Sequence, residues 1–212
     1  MLRKLQQMAL AAVAAVSFIS CAPDGADYVD ELDIVYTNYS EDYDFKSKNT
    51  FALPTKIPKI TGLQTTNTEV QFLDEQYSQI LLREIKDNLE FLGYTEVNAL
   101  DEPDFIILPA VIQTDNLNFY YDWGYWNWFY PGWNWGWGWY YPGYYPPVVT
   151  NVRSGTLMMQ MTVPSEIDAS DKIPVVWTGV VNGLLEGSEN SIATRAKSTI
   201  DQAFKQSTYL AK

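Results

Sequence analysis

Residues 155–163 read GTLMMQMTV, and residues 175–181 read VVWTGVV. Side chains alternate along an extended chain, so Leu157, Met159, Met161 and Val163 share one face while Met158, Gln160 and Thr162 share the other. The strand must be covered on at least one side. The second run is uncharged and β-branched, which makes it the natural antiparallel partner. The polar stretch 164–174, PSEIDASDKIP, joins the two.

Outward from this hairpin, Phe105–Ile112 (FIILPAVI) is a nearly continuous apolar run, short enough for a buried strand. Pro109 has no N–H to give a ladder, so the strand should bulge there or have an unpaired edge nearby. Further upstream, Leu32, Ile34 and Tyr36 alternate as a strand does. Asn49–Leu53 is a second short β segment, and Pro54 and Pro58 break the next stretch into loop. Leu73, Tyr77, Ile80, Leu81, Ile85, Leu89 and Leu92 recur at spacings of three and four, predicting an amphipathic helix over about 69–92 with Gly93 as its left-handed cap. At the other end, Ile192, Ala196, Ile200, Ala203 and Phe204 make the apolar side of a last helix, capped by Ser188 or Asn190. Two such helices with four or five strands predict an α+β two-layer sandwich: a mixed sheet with both helices on one face.

The N-terminus carries an address. Arg3 and Lys4 precede Met8–Ile19, an uncharged and mostly apolar run too short to span a bilayer, which takes about 20 residues. That is the pattern of a secretory signal. It closes on Phe18-Ile19-Ser20-Cys21, which resembles the lipobox of bacterial lipoproteins. The resemblance implies cleavage before Cys21, a diacylglycerol on its sulfur and an acylated amino group, and Ala22 in place of aspartate implies delivery to the outer membrane. Two or more acyl chains anchor firmly, each buried methylene contributing about 0.8 kcal/mol. An ordinary secretory signal cut among Ala11 to Ser20 is the alternative, but it leaves the position of the only cysteine unexplained. The expected organisation is a signal peptide over 1–20, a lipidated acidic tether over 21–33 and one α+β domain over 34–212. Periplasmic and external orientations both fit.

Composition narrows the functions. The net charge is −12, with 14 basic against 26 acidic residues. Nucleic acid is therefore not an expected partner, since its binding relies on Lys and Arg neutralising phosphates. The chain has no histidine, which removes the commonest general base and metal ligand. With Cys21 given to lipid, no thiol nucleophile, disulfide or thiolate zinc site is expected. No catalytic residue, metal or cofactor is assigned.

Short motifs in a fixed order resemble a family of bacterial lipoproteins, domain of unknown function 4136. They are Tyr43-Asp44-Phe45 with Thr50-Phe51-Ala52-Leu53, then Pro103-Asp104-Phe105-Ile106-Ile107, then Gly155-Thr156-Leu157 with Val176-Trp177-Thr178-Gly179. The resemblance spans about residues 40–210. It implies the fold and the lipid anchor and supplies no catalytic residues. Tyr43, Phe51, Phe105 and Trp177 read as core.

One segment stands apart. An insertion over 119–149 contains YYDWGYWNWFYPGWNWGWGWYYPGYYPP at 120–147, holding seven of the eight tryptophans. Its sixteen rings could present on the order of 2,400 Å², against the roughly 300–600 Å² of the largest apolar patch on a typical soluble monomer. Most must pack on something. Trp133, Trp135, Trp137 and Trp139 alternate strictly, as do Trp126 and Trp128, and Tyr130-Pro131-Gly132-Trp133 suits a turn between them. This predicts a hairpin with a tryptophan face, and the tyrosines and prolines after it should be extended or polyproline-like. Those six indoles are the candidate contacts. They could cover the open face of the sheet, stack on envelope glycan, meet a protein partner or another copy, or sit among lipid headgroups.

Three acidic clusters remain: Glu41, Asp42 and Asp44; Asp101, Glu102 and Asp104; Glu166, Asp168 and Asp171. Paired carboxylates can serve glycoside hydrolysis. Lying in predicted loops, these read as solvated. The expected role is that of a non-enzymatic outer-membrane lipoprotein in an envelope-associated structural or interaction role, with a glycan-binding module as the alternative.

Overall fold

A computed structural model describes residues 34–60, 70–112, 138–143, 155–170, 172–185 and 189–212. All belong to the compact unit Leu32–Lys212. Its strands are β1 (Ile34–Tyr39), β2 (Thr50–Ala52), β3 (Lys59–Ile60), β4 (Thr95–Glu96), β5 (Phe105–Ile112), β6 (Gly138–Tyr140), β7 (Thr156–Thr162) and β8 (Lys172–Asn182); its helices are α1 (Glu75–Phe91) and α2 (Glu189–Gln206).

The hairpin is as read. β7 and β8 pair antiparallel, with Leu157 opposite Val181 and Met161 opposite Trp177, and a register shift comes after Met161. Around it the sheet runs β1-β8-β7-β5-β2-β4, with β3 also paired to β5 and β6 also paired to β8. This exceeds the four or five strands expected from the sequence. The additions are β3 and β4, two-residue segments too short to carry a periodic signal, and β6, which comes from the alternating aromatic insertion and pairs with β8. β2 and β3 run parallel to β5 at Phe105–Ile106 and at Val111–Ile112. Pro109 lies between those two stretches and stands opposite Met159 of β7 with no register shift, so the strand passes the proline without a bulge.

Both helices lie on one face. Leu81, Ile85 and Leu89 of α1 and Ala196, Ile200, Ala203 and Phe204 of α2 join one cluster with Phe51, Phe105, Ile107, Val111, Leu157, Met159, Met161, Trp177 and Val181. Fully burying an aliphatic or phenyl side chain contributes roughly 1.5–3 kcal/mol, so this layer is the main source of stability. α1 starts at Glu75, later than the stripe alone predicts, because Lys59 and Leu73 spend their backbone N–H groups on Gln71 and Ile57 in a local β-like pairing. At the other end Gly93 adopts φ 96°, and the N–H groups of Gly93 and Tyr94 return to the Glu90 and Leu89 carbonyls. That is a Schellman closure. α2 begins at Glu189, so Asn190 falls inside the helix rather than capping it.

The opposite face is closed too. Ile106, Leu108, Ala110, Ile112, Met158 and Val180 are buried on it, with Thr156, Gln160, Thr162 and Thr178. An antiparallel sheet often leaves one face wet; this one does not.

Candidate functional site

Of the candidate indoles, Trp126, Trp128, Trp133, Trp135 and Trp137 lie outside the described residues, as does Cys21. Trp139 falls in β6, where its backbone pairs parallel with Ile173 of β8. This end of the insertion is therefore extended as expected, though its partner is the main sheet. Tyr140 shares that strand, but Pro142 and Gly143 then form a turn, with φ 74° at Gly143. The expected extended or polyproline-like run is thus interrupted by a turn at Pro142-Gly143, and its remainder, Tyr144 to Pro147, lies outside the described residues. Gly143 sits beside the loop after β1: a Cβ there would be 3.6 Å from the Asp42 carboxylate. Tyr141 reaches the sheet. Its hydroxyl accepts a 2.8 Å hydrogen bond from Gln160 Nε2, on the face away from the helices.

Asp104, Glu166 and Tyr43 gather at this same end of the sheet, since Asp104 precedes β5 and Lys172 opens β8, and those two strands run the same way. Asp104 accepts hydrogen bonds from the backbone N–H groups of Asn49 (2.7 Å) and Thr50 (2.9 Å) and from Thr50 Oγ1 (3.0 Å), and its own N–H donates to Thr50 Oγ1. Partial burial pushes this carboxyl up, but the bonds to Asn49 and Thr50, with Lys48 nearby, outweigh it and hold the acid below its ordinary range. The charge is committed to clamping β2 onto β5. Glu166, from another acidic cluster, pairs with Lys48 at 3.2 Å.

Between them stands Tyr43. Its ring meets Phe45 edge-on at 4.8 Å, and Lys48 Nζ lies 5.0 Å from its centroid. Its hydroxyl is buried with no hydrogen-bond partner among the described residues. Burial first, then the fields of Glu166 and Asp104, drive this phenol far above its ordinary range. A phenol so placed stays neutral and can donate a hydrogen bond, but it cannot serve as a base near neutral pH. The structure thus brings Asp44, Asp104 and Glu166 of three clusters toward one tyrosine, and the bonds they make are structural.

Phe51, Phe105 and Trp177 are fully buried, as read from the sequence, while Tyr43 is half-buried. Residues with no sequence signal complete the core. Tyr94 donates from its hydroxyl toward the carbonyls of Phe45 (3.2 Å) and Leu210 (2.9 Å). Arg195, 4 % exposed, donates from Nη2 to the Gly183 and Leu184 carbonyls just beyond β8. Ser207 accepts from the Trp177 indole at 2.9 Å.

Among the described residues, open hollows flank α1. One of about 430 Å³ lies between the C-terminal halves of the helices, lined by Asn88, Phe91, Asp201 and Phe204 among others. Another, about 440 Å³, lies beside Leu53, Arg83 and Lys86, where Lys86 is held by Glu96 at 2.6 Å. Among the described residues, no group of three acidic, His or Cys side chains is arranged to hold a metal ion, and no helix is long and apolar enough to cross a membrane.

The fold is a mixed sheet backed by two helices, with an insertion entering between β5 and β7. The DUF4136 family model, a domain of unknown function, matches residues 35–207, and the chain belongs to that family. It is similar to a crystal structure of a DUF4136 family protein from Bacteroides thetaiotaomicron, at 29% identity and a TM-score of 0.63, over 84% of this chain and 97% of that one. Weaker likenesses are to a PelC dodecamer subunit from Paraburkholderia phytofirmans, with 12% identity and a TM-score of 0.40 over 85% and 98% of the two chains. A third is to a PDZ domain protein from Parabacteroides distasonis, with 17% identity and a TM-score of 0.42 over 84% and 36%. Comparison with curated proteins gives no match.

Proposed function

We propose that this chain is a non-enzymatic lipoprotein of the bacterial outer membrane, held by acyl chains on Cys21 and carrying its α+β domain on a short acidic tether. The observation that carries this is the position of the only cysteine, directly after the apolar run that ends at Ile19-Ser20. The first described strand starts at Ile34, which leaves Ala22–Asp33 as spacer. The acidic groups support a role without catalysis: Asp104 is bound to backbone N–H groups and Glu166 to Lys48. The domain's work is then contact within the envelope.

The test is metabolic labelling with an alkyne palmitate analogue in a Gram-negative host, followed by detergent phase partition and density-gradient separation of the membranes. The native chain should take label, enter the detergent phase and band with outer membrane. Cys21→Ser should lose all three properties while its far-UV circular dichroism stays native. Equal labelling of both chains, or a native chain that stays in the aqueous phase, would refute the anchor. The glycan-binding alternative has its own readout: co-sedimentation with insoluble peptidoglycan that Trp135→Ala with Trp137→Ala abolishes.

A further inference from the structure

The sheet face turned away from the helices is buried, and the path of the chain indicates by what. β5 is antiparallel to β7 and β7 to β8, so β5 and β8 run the same way. β5 ends at Ile112 opposite Thr156, level with the C-terminal end of β8. The chain is next described at Gly138, opposite Lys172 at the N-terminal end of β8. Between those points lie roughly three inter-strand spacings of about 4.8 Å and some ten strand residues at about 3.3 Å each, or ~35 Å corner to corner. Then the chain must return, because Gly155 donates its N–H to the Ile112 carbonyl. Residues 113–137 thus join two opposite corners of the sheet, and residues 144–154 join Gly143 back to Gly155 beside Ile112.

One face is closed to that traffic by α1 and α2, packed on Val111, Leu157, Met159, Trp177 and Val181. The other presents Leu108, Ala110, Met158 and Val180 with the amides and hydroxyls of Gln160 and Thr178, and no charge. A contact is already made there, Tyr141 to Gln160 at 2.8 Å. Across the strands, Thr178 stands opposite both Gln160 and Asn38, so polar groups form a row under that tyrosine. The acidic tether, with Asp24, Asp27, Asp30, Glu31 and Asp33, is poorly matched to this surface, whereas residues 113–137 carry only Asp115 and Asp122 as charges.

We propose that this sheet face is the docking site of the chain's own aromatic segment, residues 113–137, which lies across it as a third layer. The indoles then serve as core, and the sheet is sealed on both sides. The proposal is independent of the lipid anchor, since it concerns the domain alone.

The test uses the soluble Cys21→Ser chain with Met158→Cys as its single thiol. Maleimide should modify that thiol about a hundredfold more slowly in the folded than in the urea-unfolded chain. Replacing residues 120–137 with a Gly/Ser linker of equal length should speed modification about tenfold or more. Fast labelling of the intact chain would overturn the proposal. So would unchanged protection after the replacement, which would assign the cover to residues 1–33, or protection that vanishes on dilution, which would assign it to a second copy. Acrylamide quenching of the parent chain gives an answer even if the replaced variant fails to fold. Seven of eight tryptophans lie in the insertion, so quenching several-fold weaker than in urea is expected, and equal quenching would refute the docking.

Discussion

The Trp177 indole lies over Gly179. A Cβ built on Gly179 would stand 2.6 Å from Cη2 and 3.0 Å from Cζ2 of that ring, and 3.1 Å from Cε of Met159. Two residues apart on one strand face, they form a unit in which the missing side chain makes room for the large one. Trp177 then stacks on Phe204 at 5.4 Å, which fixes α2 to the sheet.

Gly179→Ala should therefore destabilise the domain by about 1–3 kcal/mol through overpacking. A lower urea midpoint with an unchanged slope in equilibrium unfolding is the expected result.

Ser207 holds the polar end of the same indole. It accepts from Trp177 Nε1 at 2.9 Å and from the Tyr209 hydroxyl at 3.1 Å, and donates to the Ala203 carbonyl. Ser207→Ala leaves a buried N–H without its acceptor, at a cost of about 1–3 kcal/mol. In a Trp177→Phe background that cost should shrink, and a double-mutant cycle measures the difference.

Asp104 makes stability depend on acid. Its folded pKa lies below the ordinary value of 3.8, so its contribution is complete above that value and is lost as pH falls through the depressed one. Asp104→Ala should cost about 1–2 kcal/mol at pH 7, the group being partly exposed. The gap between parent and variant should close below about pH 4. A gap that stays constant down to about pH 2 would separate the clamp from the charge.

Tyr94 acts at the alkaline end. Burial, and then Asp44, push its hydroxyl from 10.0 to about 12. A raised phenol stabilises fully below its unfolded pKa and loses that contribution as pH climbs through the folded one. Tyr94→Phe gives up the bonds to Phe45 and Leu210, so the variant should be less stable at about pH 8, with the deficit narrowing between about pH 10 and about pH 12. Urea midpoints across that range check it.

The family motifs find their reasons in three dimensions. The Pro-Asp pair precedes β5 because Asp104 must reach the start of β2. In GTL, Gly155 has φ 87°, and a Cβ there would meet Leu185 Cβ at 2.9 Å. None of this is visible along the chain, because Asp104 and Thr50 are brought together only when β2 and β5 pair. The same holds for Arg195, whose partners lie just beyond β8, and for Tyr43, whose neighbours come from three loops. The candidate indoles are conspicuous by composition, yet only Trp139 has a described backbone, and its partner is Ile173.

The sequence by itself determined which stretches extend, which coil and which side of each is apolar, since periods of two and 3.6 are properties of consecutive residues. It also carries the apolar N-terminal run and the lone cysteine, which are read by linear pattern. Only the tertiary structure decided the strand order, the parallel pairing of β2, β3 and β6, the closure of the second face and the clamp at Asp104. Those depend on contacts between residues far apart in the chain, where registry and room, as between Trp177 and Gly179, are settled only once the layers pack.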